Sequence, residues 1–118
     1  MATYSRVLLS GSTNGKSIKI AATTTAGTTI HTAIAGTSSI DEIYLWVTNT
    51  DSSARTLTIE WGGVTDPDNL VTKAFIISPN SPPYPIITGL NLQNGLVVGA
   101  FASVANVLLI TGYVNRIV

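Results

Sequence analysis

His31 is the only histidine of the chain, so a serine–histidine–aspartate relay or a histidine-based metal site would have to include it. It lies in residues 28–34, where threonine and apolar side chains alternate as in a strand. No motif for an activated nucleophile lies near it in the sequence. The sequence therefore favours a histidine on a strand face with an ordinary hydrogen bond.

Two pairs of carboxylates are the other candidates for chemistry. Asp66 and Asp68 flank Pro67, but a calcium ion needs about six to eight oxygen ligands, and the remaining ligands and the glycine of a calcium loop are missing. A tight turn is the better interpretation. Asp41 and Glu42 are neighbours, so on a strand they point to opposite faces, which argues against a paired-carboxylate glycosidase site. We predict no catalytic residue, no metal site and no cofactor.

Several aromatic side chains could together build a platform on which a sugar stacks. They are Tyr44, Trp46, Trp61, Tyr84 and Tyr113. Aromatic residues in strands belong more often to a core or to a protein interface. A sugar site would require an exposed aromatic row with amides or carboxylates beside it.

The low charge of the chain restricts the classes of partner. Asp, Glu, Lys and Arg make up 10% of the residues, against about 25% in a typical soluble domain. Acidic and basic residues balance, so the net charge is zero, and the mean hydropathy is +0.38. A neutral, weakly charged surface associates easily because little repulsion opposes contact. We expect apolar surface to be buried against other protein chains, and we expect no binding to nucleic acid, which needs a basic footprint.

Membrane and disulfide signals are weak or missing in the sequence. The apolar runs, such as the one near residues 104–110, are far shorter than the roughly 18 residues of a spanning helix. The first six residues lack the basic start and apolar run of a signal peptide. The chain has no cysteine, so apolar packing and backbone hydrogen bonds must hold the fold.

Short runs rich in Thr, Val, Ile and aromatic residues, separated by Gly, Pro, Asn and Ser, predict about eight strands. This count favours an all-β fold, an antiparallel β-sandwich with jelly-roll topology. Residues 17–118 would form the sandwich, and residues 1–16 a flexible arm that orders on a neighbouring subunit. We expect residues 40–48 and 55–61 to form a hairpin, and residues 96–104 and 107–114 to form the last pair.

Five segments carry a resemblance to a known family: 27–33 (GTTIHTA), 36–45 (GTSSIDEIYL), 48–50 (TNT), 57–63 (LTIEWGG) and 112–117 (GYVNRI). Together they resemble small virion proteins of tailed bacteriophages over about residues 16–117. That group includes capsid cement and decoration proteins. The resemblance implies a β-sandwich or jelly-roll domain, commonly trimeric, that lies on the capsid surface and bridges neighbouring major capsid proteins.

The sequence and the resemblance together predict a structural protein of the virion and no enzyme. Its partners would be the major capsid protein or other virion proteins, and further copies of itself, with a trimer favoured. The residues expected at protein interfaces are Tyr4, Arg6, Trp61, Asp66, Asp68 and Tyr84.

Other functions remain open from the sequence. One is another virion component, such as a neck, tail, baseplate or head-fibre base protein, which would have the same composition. Another is a carbohydrate-binding module on a host-recognition appendage. An enzyme is the weakest alternative, because so few titratable groups are available for an acid–base pair.

Overall fold

A computed structural model describes residues 2–118, which form strands and no helix. This range therefore contains no helix that could cross a membrane. The strands are β1 (Tyr4–Leu8), β2 (Ile18–Lys19), β3 (Thr28–Thr32), β4 (Ile40–Asn49), β5 (Arg55–Trp61), β6 (Leu70–Ile77), β7 (Tyr84–Leu92), β8 (Val97–Ala102) and β9 (Leu108–Ile117). The predicted all-β sandwich is confirmed, with nine strands instead of about eight. The additional strand is β1.

The strands form two antiparallel sheets. One has the order β1-β9-β4-β7, with β2 also paired to β9, and the other has the order β3-β8-β5-β6. From β2 onward every connection passes from one sheet to the other, except the β5–β6 hairpin. The chain therefore crosses the core repeatedly, and most sheet neighbours are distant in sequence.

Both strand pairs that the sequence predicts as local partners are wrong. β4 and β5 lie in different sheets, and so do β8 and β9. Each of these strands buries an apolar face, so a short polar loop such as residues 50–54 carries the chain over the core edge into the facing sheet. The partner of β4 is β9, and the two are paired along their whole length.

The core lies between the sheets and follows the two-residue period of β4. Ile43, Leu45 and Val47 are fully buried, and they face Leu57 and Ile59 of β5, which are equally buried. Burial of each such side chain contributes about 1.5–3 kcal/mol. This alternation on the central strands is what fixes which face of each sheet points inward.

The N-terminal residues differ from the predicted flexible arm. Tyr4–Leu8 pairs with β9 from Ile117 to Tyr113, and Thr3 exchanges two backbone hydrogen bonds with Val118. Leu9, only 2% exposed, belongs to the core. An unpaired β9 edge and an empty Leu9 position would both be costly, so the segment orders on its own domain. Met1 lies outside the described residues.

At Gly112 the backbone of β4 leaves no space for a side chain. A Cβ at this position would overlap the carbonyl oxygen of Tyr44 on β4. The site lies in the middle of the β4–β9 ladder, where Gly112 pairs with Leu45. No flexible side chain can move aside, because the obstacle is backbone.

We expect Gly112→Ala to lower the free energy of unfolding by about 3 kcal/mol or more, because overpacking here displaces the backbone of both central strands. Urea unfolding followed by tryptophan fluorescence measures the loss. Gly36→Asn is the matched control, since a Cβ there meets no atom within 4 Å and Asn tolerates its φ of 82°. Equal unfolding midpoints for the two variants would contradict the expectation.

Candidate functional site

The most prominent exposed apolar surface lies where the two sheets end on the same side of the sandwich. β6 is the last strand of one sheet and β7 the last strand of the other. The rings of Phe75 on β6 and Tyr84 on β7 stack across this gap with centroids 5.9 Å apart. Ile76 is 67% exposed and Val71 42% exposed. We call this surface the edge patch; its residues are Val71, Phe75, Ile76, Pro82, Pro83 and Tyr84.

Two open hollows lie in the edge patch. One of about 310 Å³ extends along residues 75–78 and 81–84. The other, of about 350 Å³, lies between residues 71–73 of β6 and residues 84–86 of β7, with Phe75 shared by both. Hollows between exposed apolar side chains are suited to receive the side chains of another protein.

The local sequence keeps the patch open while preventing regular pairing along its edge. Ala74 adopts a left-handed φ of 47°, and its N–H donates to the Thr58 hydroxyl at 3.0 Å. The pairing of β6 with β5 shifts register across this residue, between Thr72 and Phe75, and again between Leu70 and Thr72. Pro82 and Pro83 have no N–H to donate. A bulge and prolines blunt an edge against strand addition, so the patch offers mainly side chains for contact.

The edge patch is electrically neutral. Residues 74–115 contain no Asp, Glu, Lys, Arg or His. Lys73 lines one of the two hollows, and its charge is paired, since its nitrogen lies 2.9 Å from an oxygen of Asp66 and both side chains are largely exposed. Contact with an uncharged partner surface would therefore leave no charge of the patch buried and unpaired.

The structure brings only some of the predicted interface residues to one place. Tyr84 belongs to the edge patch, and Asp66 lies at its border through Lys73. Asp68 is exposed in the same loop as Asp66. The residues predicted from the sequence do not include Phe75 and Ile76, although both lie within the charge-free stretch of residues 74–115.

The remaining predicted interface residues lie elsewhere. Tyr4, which is 71% exposed, and Arg6 are on β1, at the opposite edge of the five-stranded sheet from β7. Trp61 is half-buried at the end of β5, and its Nε1–H donates to the Asn91 carbonyl at 3.4 Å. These three residues are not part of the edge patch.

Three aromatic rings form a cluster on the outer face of the five-stranded sheet. Tyr113 stacks against Tyr44 and Trp46, with centroid distances of 5.0 and 5.9 Å. The Arg6 guanidinium lies 4.2 Å from the centre of the Tyr113 ring. Because the rings are half-buried and stack on one another, the geometry favours cross-strand packing over a sugar platform.

His31 is fully buried, and both of its ring nitrogens are engaged. Nδ1 accepts the backbone N–H of Ser10 at 3.0 Å, which assigns the ring proton to Nε2, 2.8 Å from Oδ2 of Asp41. The Ser10 hydroxyl oxygen accepts the Thr32 N–H at 2.7 Å instead of approaching the ring. Hydrogen bonds among Ser10, His31 and Asp41 thus connect β3, β4 and the segment after β1.

Asp41 is the centre of this buried polar group. Arg116 on β9 donates to both carboxylate oxygens, from Nε at 2.8 Å and from Nη2 at 3.0 Å, and the Ile34 N–H adds a third bond. Burial raises the pKa of Asp41, but the hydrogen bonds from Arg116, His31 and the Ile34 amide outweigh it. The pKa of Asp41 therefore lies below its ordinary value of 3.8.

We expect Asp41→Asn to cost about 3–5 kcal/mol of stability at pH 7, since it breaks a buried charge pair. A carboxylate with a depressed folded-state pKa stabilises the fold above its unfolded value, and this contribution is lost as the pH falls through the folded value. The stability gap between wild type and variant should therefore narrow below a pH of 3.8. Chemical denaturation at several pH values tests this.

Asp51→Asn serves as the comparison, because its pair with Arg55 is partly exposed and exposed pairs contribute little. A gap for Asp41→Asn that is no larger than that for Asp51→Asn, or that does not change with pH, would refute the assigned role of Asp41.

The Asp66–Pro67–Asp68 turn pairs with Lys73, and no three acidic, histidine or cysteine side chains of residues 2–118 gather in a way that could hold a metal ion. Comparisons of the chain with protein-family models, with curated proteins and with solved structures found no match. Among the surfaces of the described residues, the edge patch is the strongest candidate for a functional site.

Proposed function

We propose that this chain is a structural virion protein, a capsid cement or decoration protein that binds the assembled shell of a tailed bacteriophage and stabilises it. The observation that carries the proposal is the edge patch, in which Ile76 is 67% and Tyr84 49% exposed, both within the uncharged stretch of residues 74–115. A surface of this kind is suited to a permanent contact with another protein.

The order of the strands is a second line of support. β1 and β2 share one edge of β9, so the sheets have the orders β2-β9-β4-β7 and β3-β8-β5-β6. Interleaving of the early and late strands in both sheets is the arrangement of a jelly roll. The fold is thus consistent with the group that the sequence segments resemble, and we propose the jelly-roll topology for it.

The mechanism follows from mass action. A protein that binds the assembled shell and not its separated subunits stabilises the shell by its binding free energy. Each contact needs roughly 1,000 Å² or more of buried surface, and many copies act together. We propose the major capsid protein as the partner and, from the resemblance, a homotrimer as the bound form on the capsid surface.

Two other functions can be distinguished from that of a cement protein. A neck, tail, baseplate or head-fibre base protein would use the same patch and is distinguished by copy number per particle, because a cement protein is present in hundreds of copies. A carbohydrate-binding module has less support, since Tyr113 is already stacked with two neighbouring rings and Arg6.

We expect Ile76→Asp to weaken binding to shells that lack this protein by about 30-fold or more, because a central apolar contact contributes about 2 kcal/mol and an unpaired charge adds to the loss. Co-sedimentation of the purified chain with such shells measures the affinity. Circular dichroism and thermal unfolding verify that the variant keeps its fold.

Val118→Asp is the matched control, because Val118 is also exposed, at 57%, but lies outside the edge patch. It should bind like the wild type. A wild-type chain that stays monomeric and does not bind shells at any concentration would overturn the proposed function. Equal binding of the Ile76 variant would overturn the role of the patch.

A further inference from the structure

Glu60 is a buried acid whose environment differs from that of Asp41. It is 1% exposed and lies on the outer side of β5, beneath the segment that precedes β3. Its carboxylate accepts the Thr25 hydroxyl and, at 2.7 Å, the Gly27 N–H. Among residues 2–118, no Lys, Arg or His nitrogen lies within 4.0 Å of it. Asp41, by contrast, has both His31 and Arg116.

A pocket of about 240 Å³ opens beside this carboxylate. Its lining residues are Ala26, Gly27, Thr29, Glu60, Gly63, Val64, Val97 and Gly99. Most of them are small, and the pocket reaches Glu60 because Gly99, its neighbour on β8, has no side chain. A Cβ on Gly99 would come 3.3 Å from Oε1 of Glu60. The side chain of Glu60 thus lies across Gly99 at the floor of the pocket.

The rim of the pocket is apolar. Val64, in the loop after β5, is 51% exposed, and Val97, at the start of β8, is 39% exposed. A long basic side chain packs its methylene stem on such a surface while its charged head reaches a polar group. The pocket therefore combines a wall for the stem with an acceptor for the head.

We propose that this pocket receives one lysine or arginine side chain from a partner protein. A carboxylate offers about four acceptor positions. Glu60 accepts two hydrogen bonds, from Thr25 and Gly27, so its oxygens can accept a further bond from a cationic donor. A buried charge held only by neutral donors is costly, and an opposite charge at hydrogen-bond distance offsets that cost. That the basic side chain belongs to a shell protein rests on the proposed function, whereas the affinity of the pocket for a cation does not.

An NMR titration of the full chain tests the pocket with simple probes. The probe is n-butylammonium, which has an apolar stem and a cationic head, and n-butanol is the neutral comparison. We expect saturable shifts of the Gly27 and Gly99 amides with the cation and about tenfold weaker binding of the alcohol, the range of a charge-assisted hydrogen bond. Equal binding of the two probes, or no shift at these glycines, would overturn the proposal.

Two variants connect the response to the carboxylate. Glu60→Gln keeps the size and one acceptor oxygen, and it should lose the preference for the cation. Val64→Lys is a second variant on an exposed loop that places a cation at the rim, and it should reduce probe binding without altering Glu60. If both variants bind n-butylammonium like the wild type, the pocket is not a cation site.

The two proposals fail in different experiments. The titration uses the isolated chain, so its result does not depend on any shell, whereas co-sedimentation reports shell binding. A pocket that binds the cation in a chain that ignores shells would sustain this inference and remove the cement function. Shell binding by a chain whose pocket does not bind the cation would sustain the cement function and remove this inference.

Discussion

The β4–β9 ladder is the contact on which the rest of the structure depends. The two strands are paired from Ile40–Ile117 to Asn49–Leu108, and each supports the remaining strands of its sheet: β1 and β2 attach to β9, and β7 attaches to β4. The inner side chains of the same ladder supply much of the core. Because the partners are 59 to 77 positions apart in the chain, this sheet forms only after a large loop has closed, at a considerable entropic cost.

The two buried carboxylates of the described residues, Asp41 and Glu60, have different surroundings. Arg116 pairs with Asp41 near one end of the β4–β9 ladder and compensates its charge. Asp41 in turn orients His31 through a hydrogen bond. No buried side-chain nitrogen or oxygen of the described residues lacks a hydrogen-bond partner. In a domain with so few charges, each buried one has a structural consequence, and Glu60 differs because its hydrogen bonds come from neutral donors alone.

Strand content could be predicted from the sequence, whereas partners could not. The alternation of Ile43, Leu45 and Val47 is a local property, and so is the placement of Asp41 and Glu42 on opposite faces. The choice between a hairpin and a crossing to the facing sheet depends on the whole core, and that is why both predicted hairpins are wrong. The sequence places candidate interface residues mainly in loops and termini, and it does not reveal that Phe75 and Ile76 are exposed, because exposure at a strand edge depends on which strand ends the sheet.

An exposed apolar edge normally invites uncontrolled strand addition, and the bulge at Ala74 with the prolines that follow opposes it. Backbone groups that are out of register cannot extend the sheet indefinitely, but the side chains of Phe75, Ile76 and Tyr84 remain available. In the proposed role, a partner would need a surface that fits these side chains. A nearly uncharged domain can thus remain association-prone without forming fibres, since specificity comes from side-chain fit and not from the backbone.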